Sequence, residues 1–415
     1  MKSRFRRVFS DVNYGQIVHI FNSKGGMAID YIRKTRQLYG ISQNQLAVAS
    51  GITREYLSKI ELGQRKPAVE LVKKIEARLE GFNPDHALEM LFDYVRIRFP
   101  TNDVKHIITQ VLRMKPEYFL YEDYGFYGYD AHGYFGNIIV MASMDEERGI
   151  LLELKGQGCR QFESILLAQG RSWYKFFRDC LKEKCIFKRI DLAINDKADM
   201  LDIPSLARKC KNEECISVFR SFRNYRSGEL TRRDEKENMG NTLYIGSPKS
   251  EVYFCIYEKD YEQYVKSGIE LEDADVKNRF EIRLKNDRAL HAINDLLAFE
   301  DVEKTTFAII NRYIRFVDRD AEKRRSQWET NEEWQWFIGN NRSQLRLTTK
   351  PEPYSYERTL RWLHHQVAPT LKVACEMDIF DGTTIVGDML EKTALQEKHL
   401  KLLRQLQTPV KEVVL

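Results

Sequence analysis

Lys188-Arg189-Ile190-Asp191-Leu192-Ala193-Ile194 alternates apolar and polar side chains with the period of two expected of a β-strand. Ile190, Leu192 and Ile194 share one face, so Arg189 and Asp191 point to the other. Two further segments repeat the pattern. Val252, Phe254 and Ile256 line one side of Val252-Tyr253-Phe254-Cys255-Ile256-Tyr257, leaving Tyr257 opposite; Phe280, Ile282 and Leu284 alternate with Arg279, Glu281, Arg283 and Lys285. If the three strands are neighbours, two carboxylates, a tyrosine and several cations share one sheet face. That set suits metal-assisted attack by a phenol on a phosphodiester.

The chain has 415 residues, enough for two or three domains that each bury a core. Its 43% hydrophobic and 31% charged content is ordinary for a soluble protein. No apolar run has the length of a membrane span, and the basic start Met1-Lys2-Ser3-Arg4-Phe5-Arg6-Arg7 lacks the apolar stretch of a signal peptide. A cytoplasmic protein without membrane insertion is expected. The net charge of +5 is unevenly spread: residues 1–80 hold 15 Lys/Arg against 7 Asp/Glu, so a nucleic-acid footprint is expected at the N-terminus. The seven cysteines are spaced for neither a disulfide framework nor zinc knuckles, and reduced thiols are expected.

From Ile29 to Leu79 the period is helical, and its centre reads as a helix-turn-helix. Ser42 caps a helix that turns Leu46 and Ala47 inward, Ser50-Gly51-Ile52 makes a tight turn, and Thr53 caps Arg54-Glu55-Tyr56-Leu57-Ser58-Lys59-Ile60-Glu61, stopped by Gly63 and Pro67. Ser42-Gln43, Leu46-Ala47, Gly51-Ile52, Leu57-Ser58, Ile60-Glu61 and Gly63 resemble the Cro and phage-repressor type of DNA reader. Gln43, Thr53, Arg54, Tyr56 and Lys59 are the candidate DNA contacts, being polar and near the helix starts. The alternative is a helical module that binds protein on the same scaffold.

Beyond residue 85 short strands alternate with helices. Tyr121-Glu122-Asp123-Tyr124-Gly125-Phe126-Tyr127-Gly128-Tyr129 reads as a strand or hairpin, and Ile150 to Lys155 as a strand leading into Gly156-Gln157-Gly158-Cys159-Arg160. The third glycine of a dinucleotide fingerprint is absent, so these glycines serve a turn or a close backbone approach, with Arg160 available for a phosphate. Leu230 to Asn238 reads as a solvated loop, with Arg220, Arg223 and Arg226 upstream placed to follow a DNA backbone. Trp328, Trp334, Trp336 and Phe337 read as one buried amphipathic helix, and Tyr356 to Gln366 as a second helix after Pro351 and Pro353.

Leu154-Lys155-Gly156-Gln157-Gly158-Cys159-Arg160, Arg189 to Asp196, Thr242-Leu243-Tyr244-Ile245-Gly246-Ser247, Ile256-Tyr257-Glu258-Lys259 and Arg279 to Arg283 together resemble the rolling-circle replication initiators of Gram-positive plasmids, a Rep_trans-like family. They are more similar still to the MobT-type relaxases of integrative and conjugative elements. The resemblance implies an α+β chain: an all-α helix-turn-helix domain, then a catalytic domain on a mainly antiparallel sheet with flanking helices. The expected divisions are 1–85, a catalytic nicking domain over 86–320, a helical part over 321–390 and a polar tail over 391–415.

What the resemblance further implies is a strand-specific DNA nickase acting through a 5′-phosphotyrosine intermediate. In it Tyr257 corresponds to the nucleophile, and Asp191 and Glu281 to acidic positions holding Mg²⁺ or Mn²⁺. Glu153 also leaves an apolar strand face and is a candidate third acid. Arg189, Lys259, Arg279 and Arg283, with Arg160, would support phosphate or phenolate charge. His364-His365, followed by Gln366, does not fit the His-hydrophobe-His pattern of other relaxases, which points the metal to carboxylates. Origin DNA is the implied partner, duplex at the helix-turn-helix and single-stranded at the nick, with a coupling protein, auxiliary conjugation proteins and a second copy of the chain. Alternatives are a plasmid replication initiator, a transcriptional repressor with a non-catalytic C-terminal part, and simple salt bridges between Asp191, Glu281 and their neighbouring arginines.

Overall fold

The computed structural model describes residues 27–39, 41–82, 87–145, 147–228, 239–271, 273–339, 352 and 355–415. The expected loop Leu230 to Asn238, Pro351, Pro353 and the basic N-terminal segment lie outside them.

Four helices open the described chain: α1 (Met27–Leu38), α2 (Gln43–Ala49), α3 (Arg54–Glu61) and α4 (Val69–Gly81). Ser42 accepts a hydrogen bond from the Gln45 amide while the Gln45 side chain returns to the Ser42 amide, a reciprocal cap that fixes the start of α2. Thr53 caps α3 in the same sense, and Gly51 takes the left-handed conformation the turn needs. Ile32, Leu46, Leu57, Ile60, Ile75 and Leu79 close the small core. A buried ion pair spans it: Arg36 Nε donates to Glu61 Oε1 at 2.6 Å and its second nitrogen to Oε2 at 2.9 Å.

A single ten-stranded sheet follows, in the order β2-β3-β4-β5-β1-β6-β11-β10-β9-β8, antiparallel throughout. Its strands are β1 (Leu88–Phe99), β2 (Leu120–Glu122), β3 (Ala131–Phe135), β4 (Ile138–Ala142), β5 (Ile150–Lys155), β6 (Ile186–Asp196), β8 (Phe222–Arg226), β9 (Asn241–Ile245), β10 (Val252–Glu258) and β11 (Asn278–Lys285); β7 (Cys215–Ser217) pairs apart with Ile314–Phe316. The chain is thus α+β, as its motifs imply.

Alternation decides which side is covered. Ile190, Leu192, Ile194, Phe254, Ile256, Phe280, Ile282 and Leu284 are all buried; the helix Asn286–Phe299 packs on β6 and β11, and Gln157–Ala168 on β1, β4 and β5. Phe92, Phe162, Trp173, Phe176, Phe177 and Phe187 interlock beneath one half of the sheet, and Phe254, Phe280, Phe316, Trp334 and Phe337 beneath the other. Each fully buried aromatic ring contributes about 1.5–3 kcal/mol of burial. In β1 the phase slips: the register jumps between Phe92 and Tyr94, so Asp93 is an extra, bulged residue.

Three expectations change. Trp328 precedes the helix Glu332–Ile338 instead of joining it; its indole N–H donates to the carbonyls of Asp320 and Lys323, a satisfied polar anchor that needs no helix. Trp334 and Phe337 enter the core as expected, whereas Trp336 packs on Phe82, 5.3 Å between ring centres, and ties the helix-turn-helix module to the sheet domain. The segment after residue 391 is no simple polar tail: Gln405 in the helix Glu397–Gln407 is buried and donates to the carbonyls of Tyr118 and Tyr134, and Val413 is fully buried. Backbone bonds from Lys115 to Val413 and from Leu415 to Arg113, with the Arg404 guanidinium over the Tyr118 ring, complete the docking of this charged segment. Of the two uses expected for the glycines after β5, a turn or a close backbone approach to a ligand, Gly156 serves the turn with a positive φ of 41°, while Gly158 approaches the Asn137 carbonyl, where a side chain would come within 2.5 Å.

Removing one partner of the buried Arg36–Glu61 pair leaves an uncompensated charge, typically costing about 3–5 kcal/mol. Glu61→Ala is therefore expected to lower the first urea-unfolding transition of the chain by that order, with the sheet domain's transition unmoved.

Candidate active site

The register of three strands assembles the site. β11 runs antiparallel to β6 with Arg283 opposite Asp191 and Glu281 opposite Ala193, while β10 sets Cys255 opposite Glu281 and Tyr257 opposite Arg279. With the core face fully occupied, Asp191, Glu281 and Tyr257 all emerge on the uncovered face. The Tyr257 hydroxyl donates to Glu281 Oε1 at 2.8 Å. Arg283 donates twice to Glu281 Oε2, at 2.7 and 2.9 Å, and its Nε lies 3.8 Å from Asp191 Oδ2. Arg189 grips Asp191 with both donors of its fork, at 2.8 and 2.6 Å. Phenol, two carboxylates and two guanidiniums thus form one continuous network. The salt-bridge partnership of Asp191 and Glu281 with neighbouring arginines is therefore real; Glu281 also accepts from Tyr257, whereas Asp191 connects to that pair only through Arg283.

The electrostatics follow from burial. Asp191, 2% exposed, has its carboxyl pushed up to about 6 by desolvation and by the charge of Glu281, against the pull of Arg189 and Arg283. Burial, then Glu281, lifts the Tyr257 hydroxyl well above its usual range, and Arg279 only partly opposes this. The resting phenol is therefore neutral, and its proton already points at a carboxylate. The arginines do not hold a phenolate, because their charge is committed: Arg189 to Asp191, Arg283 to Glu281, Arg279 to Asp93 at 2.9 Å and to Asn195 at 2.7 Å. Lys259 lies 5.6 Å from the centre of the Tyr257 ring and pairs with Glu262, its ammonium made more acidic by burial and by Arg279.

These groups line an open cleft of about 1040 Å³ that also takes in Lys155, Asn241 and Tyr244. Two supporting residues escaped the sequence reading. Asp93 was hidden because a bulge cannot be seen in one strand, although the shift of apolar phase from Met90 and Phe92 to Val95 and Ile97 records it. Asn195, two residues beyond Ala193 on the same face, was passed over because only its register opposite Arg279 reveals its use.

Other candidates are placed differently. Glu153 accepts from the Tyr94 hydroxyl and meets Lys155 at 3.0 Å; the Tyr94 ring and the Arg189 guanidinium, 4.2 Å from its centre, stand between this carboxylate and Asp191. Arg160 is 7% exposed, donating to Glu163 and to the Phe92 carbonyl, and acts as an internal strut at the cleft wall. Among the described residues no group of three or more Asp, Glu, His or Cys gathers as a metal cage. Asp191 and Glu281 nevertheless offer hard oxygen donors in one charged pocket, which fits an ion that keeps most of its water and uses one or two carboxylates beside a substrate phosphate.

In the helix-turn-helix, Thr53, Arg54 and Lys59 are exposed and Tyr56 is half-buried beneath Arg65. Gln43 is turned inward, its amide donating to Glu61 at 2.8 Å, because the buried carboxylate of that pair needs a further donor. Among the described residues no helix is long and apolar enough to cross a membrane.

Raised in the folded state, the Asp191 carboxyl favours folding most below about pH 4, and that contribution is lost as pH rises through about 6. Asp191→Asn is permanently uncharged, so its melting temperature relative to the unmodified chain should climb between about pH 4 and pH 7; a flat difference across that range contradicts the electrostatic reading.

Comparison with known proteins places these features together. Residues 185–390 match the replication initiation factor family, 89–179 the N-terminal domain of rolling-circle replication initiation proteins and 32–82 a helix-turn-helix family. The chain is 41% identical over 328 residues to a Bacillus subtilis (strain 168) protein designated DNA relaxase NicK, covering 79% of this chain and 92% of that protein. Over 50 residues it is 52% identical to the B. subtilis helix-turn-helix transcriptional regulator SlrR, 12% of this chain and a third of that one. A rolling-circle replication initiator from Geobacillus stearothermophilus superposes with a TM-score of 0.54 at 27% identity, over 63% of this chain and 99% of that one.

Proposed function

The chain belongs to the family of replication initiation factors and DNA relaxases, and from that premise we propose that it nicks and recloses one DNA strand at a transfer origin with Tyr257 as nucleophile. The observation that carries the reading is the 2.8 Å hydrogen bond from the Tyr257 hydroxyl to Glu281 inside a network of opposed charges on an open cleft. A neutral phenol at neutral pH needs a base, and Glu281 is already in hydrogen-bond contact with its proton.

In the reaction, Glu281 takes the phenolic proton as the Tyr257 oxygen attacks phosphorus. The new P–O bond to tyrosine forms while the bond to the 3′ oxygen breaks, leaving a 5′-phosphotyrosine and a departing 3′ oxygen that becomes a hydroxyl by taking up the proton Glu281 received, directly or through water. Because the phosphoester is conserved, the 3′-hydroxyl can attack in reverse and reseal the strand. Arg279 and Lys259 flank Tyr257 and would meet the charge developing on the phosphoryl oxygens by exchanging their carboxylate partners, Asp93 and Glu262, for the substrate. Asp191 and Glu281 are the residues that would hold Mg²⁺ or Mn²⁺; a bound divalent ion supplies Lewis-acid polarisation of a phosphoryl oxygen.

The helix-turn-helix would hold adjoining duplex through Thr53, Arg54, Tyr56 and Lys59, while the cleft takes a melted strand. Such a protein works in the cytoplasm, with a coupling protein, auxiliary conjugation proteins and a second copy as the partners this role calls for. The similarity to SlrR, confined to 50 residues, supports a second reading in which duplex binding also represses transcription.

A supercoiled plasmid carrying the cognate origin, incubated with Mg²⁺ or Mn²⁺, is expected to yield nicked circles with protein attached to a 5′ end. Tyr257→Phe should abolish both while leaving duplex binding intact; normal nicking by this variant, or an adduct mapped to another tyrosine, assigns the nucleophile elsewhere. Glu281→Gln should slow single-turnover nicking by about 10²–10⁴-fold, with partial recovery at alkaline pH, where the phenol sheds its proton unaided. No pH-dependent recovery would deny Glu281 the role of base.

A further inference from the structure

Beside the catalytic cleft the same sheet face holds a second hollow, about 490 Å³ in volume, walled by Tyr225, Tyr244 and Tyr253 with Arg223 and Arg283. From its lining we infer a subsite for one unstacked nucleobase of the single strand next to the scissile phosphate, with Tyr225 as its stacking platform. The inference rests on the reading of the cleft as the seat of a single DNA strand, and it names how that strand is held.

Three observations support it. The hollow opens onto the cleft, since Thr242, Tyr244 and Arg283 line both. Its rings are arranged to receive a flat group: Tyr225 and Tyr244 stand perpendicular, 89° apart with centres 5.9 Å apart, which presents one ring face and one ring edge. They are also held in advance. The Tyr244 hydroxyl is hydrogen-bonded to Cys255, and Tyr253 is nearly buried, receiving Arg283 at 3.3 Å on its hydroxyl. Tyr225, on the edge strand β8, is half exposed and unburdened by core packing.

Arg283 joins the two sites physically. One of its nitrogens reaches Tyr253 in the hollow while two others hold Glu281, the partner of Tyr257. A base seated against the tyrosines therefore lies on the strand beside the cleft that holds Tyr257. Arg223, directly opposite Tyr244 on β8, stands at the rim where the sugar-phosphate chain would pass.

The test needs no knowledge of the origin and no cleavage. Two labelled probes are titrated in fluorescence anisotropy without metal: an oligothymidylate of about a dozen nucleotides, and the same backbone with abasic sites throughout. The full chain should prefer the probe with bases. Tyr225→Ala should weaken oligothymidylate binding by about ten-fold and leave the abasic probe unchanged, whereas Arg223→Ala should weaken both alike. Tyr225→Phe should restore the preference. An equal loss on both probes, or none on either, overturns the subsite. Because the readout is binding without metal or cleavage, a base preference that depends on Tyr225 stands whether or not Tyr257 is the nucleophile, which separates failure of the proposed reaction from failure of this site.

Discussion

The ten antiparallel strands bury one apolar face against helices and a shared aromatic core, and this asymmetry governs the sheet domain. Burying Ile190, Leu192 and Ile194 obliges Asp191 to the other side; the same holds for Glu281 between Phe280 and Ile282 and for Tyr257 beyond Ile256. A slip of one residue in any of the three central strands would send its polar group into an aromatic core, at a cost far above the whole stability margin of a domain. The chemistry of the open face is thus held in place by the packing of the closed one.

Charges placed so close together are tolerated because they are paired. Asp191 and Glu281 each receive a guanidinium from the same sheet, and Arg279 is answered by Asp93 and Asn195. The pairing leaves the tyrosine as the least compensated group, raised in pKa and hydrogen-bonded to a carboxylate. A site built this way keeps the phenol protonated at rest, with its hydrogen bond directed at the carboxylate already touching it. The same arginine that steadies Glu281 also reaches the tyrosine hollow, so cleft and hollow share one side chain.

Much of this was legible in residues 188–194, 252–257 and 279–285, because half-buried strands write their facing into every second position. The capping residues Ser42 and Thr53 were equally legible, since their hydrogen bonds are local. Gln43 read as a DNA contact because nothing nearby in the chain announces a buried Glu61 eighteen residues on. Glu153 read as a third acid because facing alone does not say which strand lies between; β1 separates β5 from β6, and Tyr94, Arg96 and Lys155 take that carboxylate for a network of their own. Charged composition likewise concealed the docking of the C-terminal segment through Gln405 and Val413.

Sequence by itself determined the local terms: which segments are strands, which face of each is apolar, where the two reader helices begin and which acids and tyrosine leave the core. Tertiary structure alone decided strand order and register, and with them that Tyr257 meets Glu281, that Arg283 joins two hollows and that Asp93 bulges out to meet Arg279. The physical reason is range. Alternation and capping act between residues a few positions apart, whereas an ion pair or a hydrogen bond across a sheet depends on partners whose spacing in the chain carries no trace of their contact.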